Sequence, residues 1–113
     1  MPLIKNIPHE SVLDLAGQVG VQPGQVVSKT LAQNAHVSVT LFAFAQGEEI
    51  GAHDSAGDAM VLVLEGTGKF TVDGAKHSCK AGETLIMPAK KPHAVYAQEN
   101  FKMLLTVVFL ERG

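Results

Sequence analysis

The length and composition of the chain indicate one compact globular domain. Its 113 residues are 46% hydrophobic and 18% charged, which allows one hydrophobic core, leaves no room for two and excludes a disordered chain. Nine Lys and Arg against eleven Asp and Glu give a net charge of -2. Without a basic stripe, the sequence does not fit a nucleic-acid-binding protein. We therefore treat residues 1–113 as a single domain without a nucleic-acid partner.

The sequence also has no feature of a membrane or exported protein. Its longest apolar stretch, Met103 to Leu110, is far too short to span a bilayer. The first residues contain neither a long apolar segment nor a small-residue cleavage site of the kind found in signal peptides. We expect a cytoplasmic protein with no membrane partner. Its one cysteine, Cys79, cannot form an intramolecular disulfide and is expected to be a buried thiol.

Residues 1–24 form an N-terminal extension that is interrupted by proline and glycine. Within it, Ser11 to Ala16 fits either a helical turn with Ser11 as its N-cap or a short edge strand, and both alternatives stay open. From Gln25 onward, short runs rich in Val, Leu, Thr and Phe alternate with turn signals about every ten residues, which is typical of an all-β sandwich or barrel. The predicted strand segments are VVSKTLAQ, HVSVTLFAFA, AMVLVLEG, GKFTVDG, KHSCKAG, ETLIMPA, HAVYAQ and FKMLLTVVFL.

Two of the connections between these segments look like hairpin turns. VDGA (72–75) contains an Asp-Gly pair, the strongest local signal for a type I′ turn. QENF (98–101) is predicted to be a second hairpin loop. No segment after residue 24 has a helical period.

Two spaced motifs run through this part of the chain. In the first, Gly47 is followed after five residues by His53, then by Ser55 and Ala59, and after six more residues by Gly66. In the second, which begins at Gly82, a proline (88) and a histidine (93) follow at fixed spacing.

This pair of motifs resembles the two motifs of the cupin superfamily, G-x5-H-x-H-x3,4-E-x6-G and G-x5-P-x-G-x2-H-x3-N. The resemblance covers roughly residues 36–110. It implies an all-β cupin fold, which is a double-stranded β-helix or jelly-roll barrel. It is especially close to small single-domain cupins with degenerate metal motifs and no settled activity. In cupins, three histidines and one glutamate of these motifs normally hold a metal ion.

Four motif positions differ in this sequence. Ser55 replaces the second histidine, Ala59 the glutamate, Lys90 the glycine and Ala97 the asparagine. Only His53 and His93 remain of the four metal ligands, and two imidazoles are a poor site for a divalent ion. Asp54 has the wrong strand parity to add a carboxylate, and the direction of Asp58 is unknown. We expect no tightly held cofactor, and at most weak divalent metal binding by His53 and His93.

The resemblance places the functional site inside the barrel. Alternation along a strand would direct His53, Ser55 and Ala59 to the interior, with His93 facing them from another strand and Met87 beside them. We predict that these five residues line a pocket for a small-molecule ligand.

Catalytic residues cannot be assigned, and three functions stay open. The chain could be a small-molecule-binding cupin, a metal-dependent enzyme of the dioxygenase or isomerase type, or an interaction domain with a vestigial pocket. The two histidines also fit ordinary hydrogen-bonded residues. We further expect a homodimer, in which the segment QVVSKTLAQ could pair across a two-fold axis.

Overall fold

The computed structural model describes residues 2–110, in which a single 3₁₀ turn, Leu15–Gln18, precedes nine strands that pair antiparallel. The strands are β1 (Val26–Gln33), β2 (Val37–Phe44), β3 (Glu49–His53), β4 (Asp58–Glu65), β5 (Thr67–Val72), β6 (Ala75–Lys80), β7 (Thr84–Met87), β8 (His93–Ala97) and β9 (Phe101–Val108). Each of the eight predicted segments overlaps one of these strands, so the all-β prediction is confirmed. Only β3 was not among the predicted segments. No helix within residues 2–110 is long and apolar enough to cross a membrane.

The strands form two sheets that enclose the main core. The five-stranded sheet has the order β1-β2-β9-β4-β7, and the four-stranded sheet has the order β3-β8-β5-β6. From β2 to β5 and again from β6 to β9, the chain passes from one sheet to the other at each connection. This alternation closes the two sheets into the jelly-roll barrel that the motif resemblance implies.

The main core lies between the two sheets. Its buried residues are Phe44, Ala59, Val61, Val63, Phe70, Cys79, Met87, Val95, Ala97, Phe101 and Met103. The Phe101 ring stacks on Phe44 with 4.6 Å between ring centroids and meets Phe70 edge-on at 6.1 Å. In β4, every second residue belongs to this core, as expected for a strand with one inward face. The predicted burial of Cys79 is also confirmed.

A second apolar cluster covers part of the opposite face of the five-stranded sheet. Its buried members are Val19, Leu31, Leu41 and Ala43. The N-terminal extension contributes to it and is tied to the sheet by Lys102, whose Nζ donates a hydrogen bond to the Ala16 carbonyl at 2.8 Å. Within the stretch from Ser11 to Ala16, the helical turn begins only at Leu15, and Asp14 before it makes no side-chain cap.

One of the two predicted hairpins is confirmed and the other is wrong. Val72 pairs with Ala75 across Asp73 and Gly74, whose φ angles of 48° and 85° fit a type I′ turn. The segment 98–101 does not join paired strands, because β8 belongs to the four-stranded sheet and β9 to the five-stranded one. In this connection, the Asn100 side chain accepts a hydrogen bond from the Gln46 amide at 2.7 Å. A polar turn residue here therefore stabilises a crossing between sheets.

Candidate functional site

Two histidines meet at one end of the barrel. His53 ends β3 and His93 begins β8, and the two residues lie directly opposite each other in the four-stranded sheet. Their ring centroids are 4.4 Å apart and the ring planes are inclined by 69°. His93 is buried, with 5% of its surface exposed, whereas His53 is exposed. The pair therefore extends from the barrel interior to solvent.

Each imidazole is held by the main chain in the same way. His53 Nδ1 lies 2.9 Å from the Gly51 carbonyl oxygen, and His93 Nδ1 lies 3.3 Å from the Lys91 carbonyl oxygen. A carbonyl oxygen can only accept, so each Nδ1 carries the proton and donates it. The Nε2 atoms then have the free lone pairs when the rings are neutral.

Burial keeps the inner ring neutral. Desolvation lowers the pKa of the His93 imidazole below its ordinary value, and the charge that His53 can carry lowers it further. The hydrogen bond to the Lys91 carbonyl and the negative charge of Asp54 act in the opposite direction but are weaker. His93 is therefore mainly neutral at pH 7.

The position of Ser55 does not follow from strand alternation. The strand β3 ends at His53, so Ser55 belongs to the following loop and the alternation rule does not apply to it. Its Oγ accepts a hydrogen bond from the Gly57 amide at 3.1 Å, and its carbonyl accepts one from the Lys90 amide at 2.8 Å. The half-buried serine thus ties this loop to the loop before His93.

Ala59 and Met87 lie on the other sheet. They are opposite each other on β4 and β7, each is only 2% exposed, and both belong to the main core. Both face the barrel interior, as the sequence predicts. The five predicted pocket residues therefore come from both sheets and one loop. That they line a single ligand pocket stays a prediction.

Asp58 has a role that the sequence did not reveal. It alternates with the inward-facing Ala59 on β4, so its side chain is on the opposite face of the sheet. There its Oδ1 accepts a hydrogen bond from the Ala89 amide at 2.8 Å. The carboxylate therefore fixes the loop that leads to His93 and is not directed at the histidine pair. No local pattern links two residues that are 31 positions apart.

The same loop is also fixed by the turn between β5 and β6. The Asp73 amide donates to the Pro92 carbonyl at 2.8 Å, and the Asp73 carboxylate lies 3.6 Å from Lys91 Nζ. Hydrogen bonds from three directions thus hold the segment 88–92 before the buried histidine. A rigid loop of this kind suits a preformed site.

The side chains of this site do not fit a tightly bound metal ion. Within residues 2–110, no three His, Cys, Asp or Glu side chains come together in a group that could hold one. Two imidazoles are present, Ala59 offers no donor atom, and the Ser55 hydroxyl is occupied by the Gly57 amide. Catalytic zinc needs three protein ligands, and non-haem iron needs two histidines and a carboxylate.

The glycine positions of the two motifs retain their backbone role. Gly47, Gly66 and Gly82 have φ angles of 88°, 73° and 87°, in the left-handed region that favours glycine. Lys90 stands at the fourth glycine position and has a φ of 65°. The motifs therefore preserve turns of the barrel, while Ser55 and Ala59 stand at two of the four metal-ligand positions.

Comparisons with known proteins agree with this fold. A family model described as a cupin domain matches residues 40–109. The chain is similar to a conserved protein of unknown function from Streptococcus pyogenes, with 45% identity over 99% of this chain and 98% of that one and a TM-score of 0.96. It is also similar to a cupin superfamily protein from Desulfitobacterium hafniense, with 36% identity over 95% of this chain and 98% of that one and a TM-score of 0.90.

A more distant structure shares only the fold. Salicylate 1,2-dioxygenase from Pseudoaminobacter salicylatoxidans has 15% identity over 82% of this chain and 29% of that one, with a TM-score of 0.69. No curated protein sequence matches the chain.

Proposed function

Because the chain belongs to the cupin family, we propose that it binds a small organic molecule at the His53–His93 end of the barrel. In this proposal the site does not hold a metal ion tightly, and the chain has no other resident cofactor. The observation that carries the proposal is the contact between a buried and an exposed imidazole, 4.4 Å apart. Such a pair offers polar atoms to a ligand that enters from solvent.

The surroundings of the pair support a binding site. Small-molecule sites combine apolar walls with a few polar groups that are fixed in place. Here the main-chain carbonyls fix both rings, and the opposite sheet supplies the apolar side chains of Ala59 and Met87. Alanine at the glutamate position removes both a carboxylate and its volume. The site is therefore suited to an uncharged ligand more than to an ion.

The weakness of the metal site follows from charge and ligand number. The motif glutamate would be the anionic ligand, so without it a dication loses charge compensation as well as one bond. Water molecules can complete the coordination shell, but they compete equally well in bulk solvent. Two imidazoles can still bind zinc or nickel weakly, and less so at acid pH, where they are protonated.

The alternative is a metal-dependent enzyme of the dioxygenase or isomerase type. The test is metal stoichiometry after separate incubation with iron, manganese and zinc, followed by dialysis against a chelator. We expect far less than one equivalent per chain. One retained equivalent that is lost in His53→Ala but kept in the control His77→Ala, an exposed histidine of β6, would establish the metal site and contradict our proposal.

Ligand retention separates the binding proposal from a pure interaction domain. Native mass spectrometry of the gently purified protein should show a bound small molecule, which is absent from His93→Ala and present in the control His36→Ala. His36 is exposed and lies between β1 and β2, outside the pair. If no small molecule is retained and no compound perturbs the two rings, the site is vestigial and the interaction domain is the better description.

A further inference from the structure

The histidine pair presents acceptors to a ligand and no donors. Both Nδ1 hydrogens are already directed at the carbonyls of Gly51 and Lys91. Among residues 2–110, no hydrogen bond involves either Nε2. His53 is exposed, and Nε2 of the buried His93 is not a buried atom without a partner. In the neutral rings, each Nε2 therefore offers one lone pair at the mouth of the barrel.

The nearest charges do not supply donors either. The negative charge of Asp54 acts on His93. The ammonium group of Lys91 is directed to the Asp73 carboxylate, 3.6 Å away. An anionic ligand would meet two lone pairs and a carboxylate. A ligand that binds here must instead donate hydrogen bonds.

Two features of the pair restrict the ligand further. His53 and His93 are directly opposite on paired strands, so the two acceptors are close enough for a single small molecule to reach both. Because His93 is buried, a full charge next to it would lose hydration, which favours a neutral donor over an ammonium group. Val72, opposite His93 on β5, gives the carbon skeleton of the ligand an apolar neighbour.

We infer that the ligand is a neutral molecule with hydroxyl groups on two adjacent carbon atoms, one donating to each Nε2. This inference rests on the proposed function, because it names the chemical class of molecule that the same site binds. A diol of this kind matches two acceptors with two donors and leaves no buried polar atom unpaired. The tautomer that the main chain imposes is therefore what selects the ligand.

The test uses three probes of similar shape in the presence of a chelator. They are cis-1,2-cyclohexanediol, its dimethyl ether and cyclohexanecarboxylate. Binding is followed by the imidazole nitrogen and carbon shifts of His53 and His93 in NMR titrations. We expect the diol to shift both rings and to bind about three- to tenfold more tightly than the ether, which has no donor. His53→Ala and His93→Ala should each weaken diol binding by a similar factor, whereas His77→Ala should not.

The outcomes distinguish a failure of this inference from a failure of the proposed function. If the diol does not bind, or if the ether or the carboxylate binds as tightly through both rings, the inference is overturned. Carboxylate binding that requires His53 and His93 would overturn the inference and leave the binding function intact. Nitrogen shifts that place the proton on Nε2 would also overturn it, since they would turn both acceptors into donors. If no probe perturbs either ring and the purified protein releases no small molecule, both fail together.

Discussion

Adding a single methyl group at Gly68 should measurably destabilise the barrel. Gly68 is buried on β5, opposite Cys79 on one neighbouring strand and Ala97 on the other. A Cβ atom at this position would lie 2.7 Å from two ring atoms of Phe101 and 3.0 Å from the Phe70 ring. These distances are well below ordinary van der Waals contact, so the Gly68→Ala side chain fits only if a ring moves.

The Phe101 ring has little room to move. It stacks on Phe44 at 4.6 Å between centroids and meets Phe70 edge-on. Any movement of the Phe101 ring therefore disturbs its contact with at least one of these two rings. Forcing an extra methyl group into such a core costs about 1–3 kcal/mol. Replacing glycine also restricts the unfolded chain, which returns about 0.4–1 kcal/mol. We therefore expect Gly68→Ala to lower the free energy of unfolding by about 1–2 kcal/mol.

Urea denaturation and thermal melting measure this loss. The urea midpoint should fall without a change in the m-value, and the melting temperature should fall by about 4–12 °C for a domain of this size. Gly20→Ala is the matched control, because Gly20 is exposed and a Cβ there meets no atom within 4 Å. In a Phe101→Leu background, the alanine should cost less than in the wild type. Equal stability of Gly68→Ala and Gly20→Ala would refute the packing argument.

Three other experiments test the protonation of His93, the backbone conformation of Lys90 and the oligomeric state. The lowered pKa of folded His93 means that the unfolded chain binds its proton first on acidification, so the free energy of unfolding should fall as the pH drops below the ordinary histidine value of 6.5. A denaturation series across pH should show a weaker decline in His93→Gln; an identical decline would contradict this. Lys90→Gly should raise the free energy of unfolding by about 0.5–1 kcal/mol, since it relieves a left-handed backbone at φ 65°; an unchanged urea midpoint would count against it. We also expect a homodimer at micromolar concentration, because Met60 and Ile86, paired on the outer face of the five-stranded sheet, are 44% and 50% exposed. Light scattering should give twice the chain mass for the wild type and a smaller mass for Ile86→Asp, and a monomeric wild type would reject the prediction.

Much of the fold could be predicted because its signals are local. Turn residues bound strands with one apolar face, and the motif glycines Gly47, Gly66 and Gly82 occupy left-handed turns that few other residues tolerate. Strand β3 was missed because EIGAH is short, contains a glycine and has no buried residue to produce an alternating pattern. The connection at 98–101 was misread, since a local turn signal does not show which sheet the next strand joins.

The site could be predicted only in part, because several of its contacts join distant parts of the chain. The motif spacing identified both histidines, and the structure places their rings in contact. The motif spacing could not show that β3 ends at His53 and that Ser55 therefore lies in a loop. Nor could it show that Asp58 faces away from the pair, because its partner, the Ala89 amide, comes from a distant part of the chain. The tautomer of the two rings also depends on carbonyl positions that only the folded backbone fixes.

The position of β9 has a consequence for how the protein folds during synthesis. In the five-stranded sheet, β9 lies between β2 and β4, so this sheet is two separate pairs of strands until residues 101–108 leave the ribosome. Until then Phe44 also lacks Phe101, on which its ring stacks in the finished core. The nascent chain must therefore carry open strand edges and apolar surface until β9 is synthesised, which is the condition under which β-proteins aggregate or engage chaperones. Folding of the barrel is consequently a cooperative event that begins when β9 becomes available, at the slow rate expected of strands paired across long stretches of sequence.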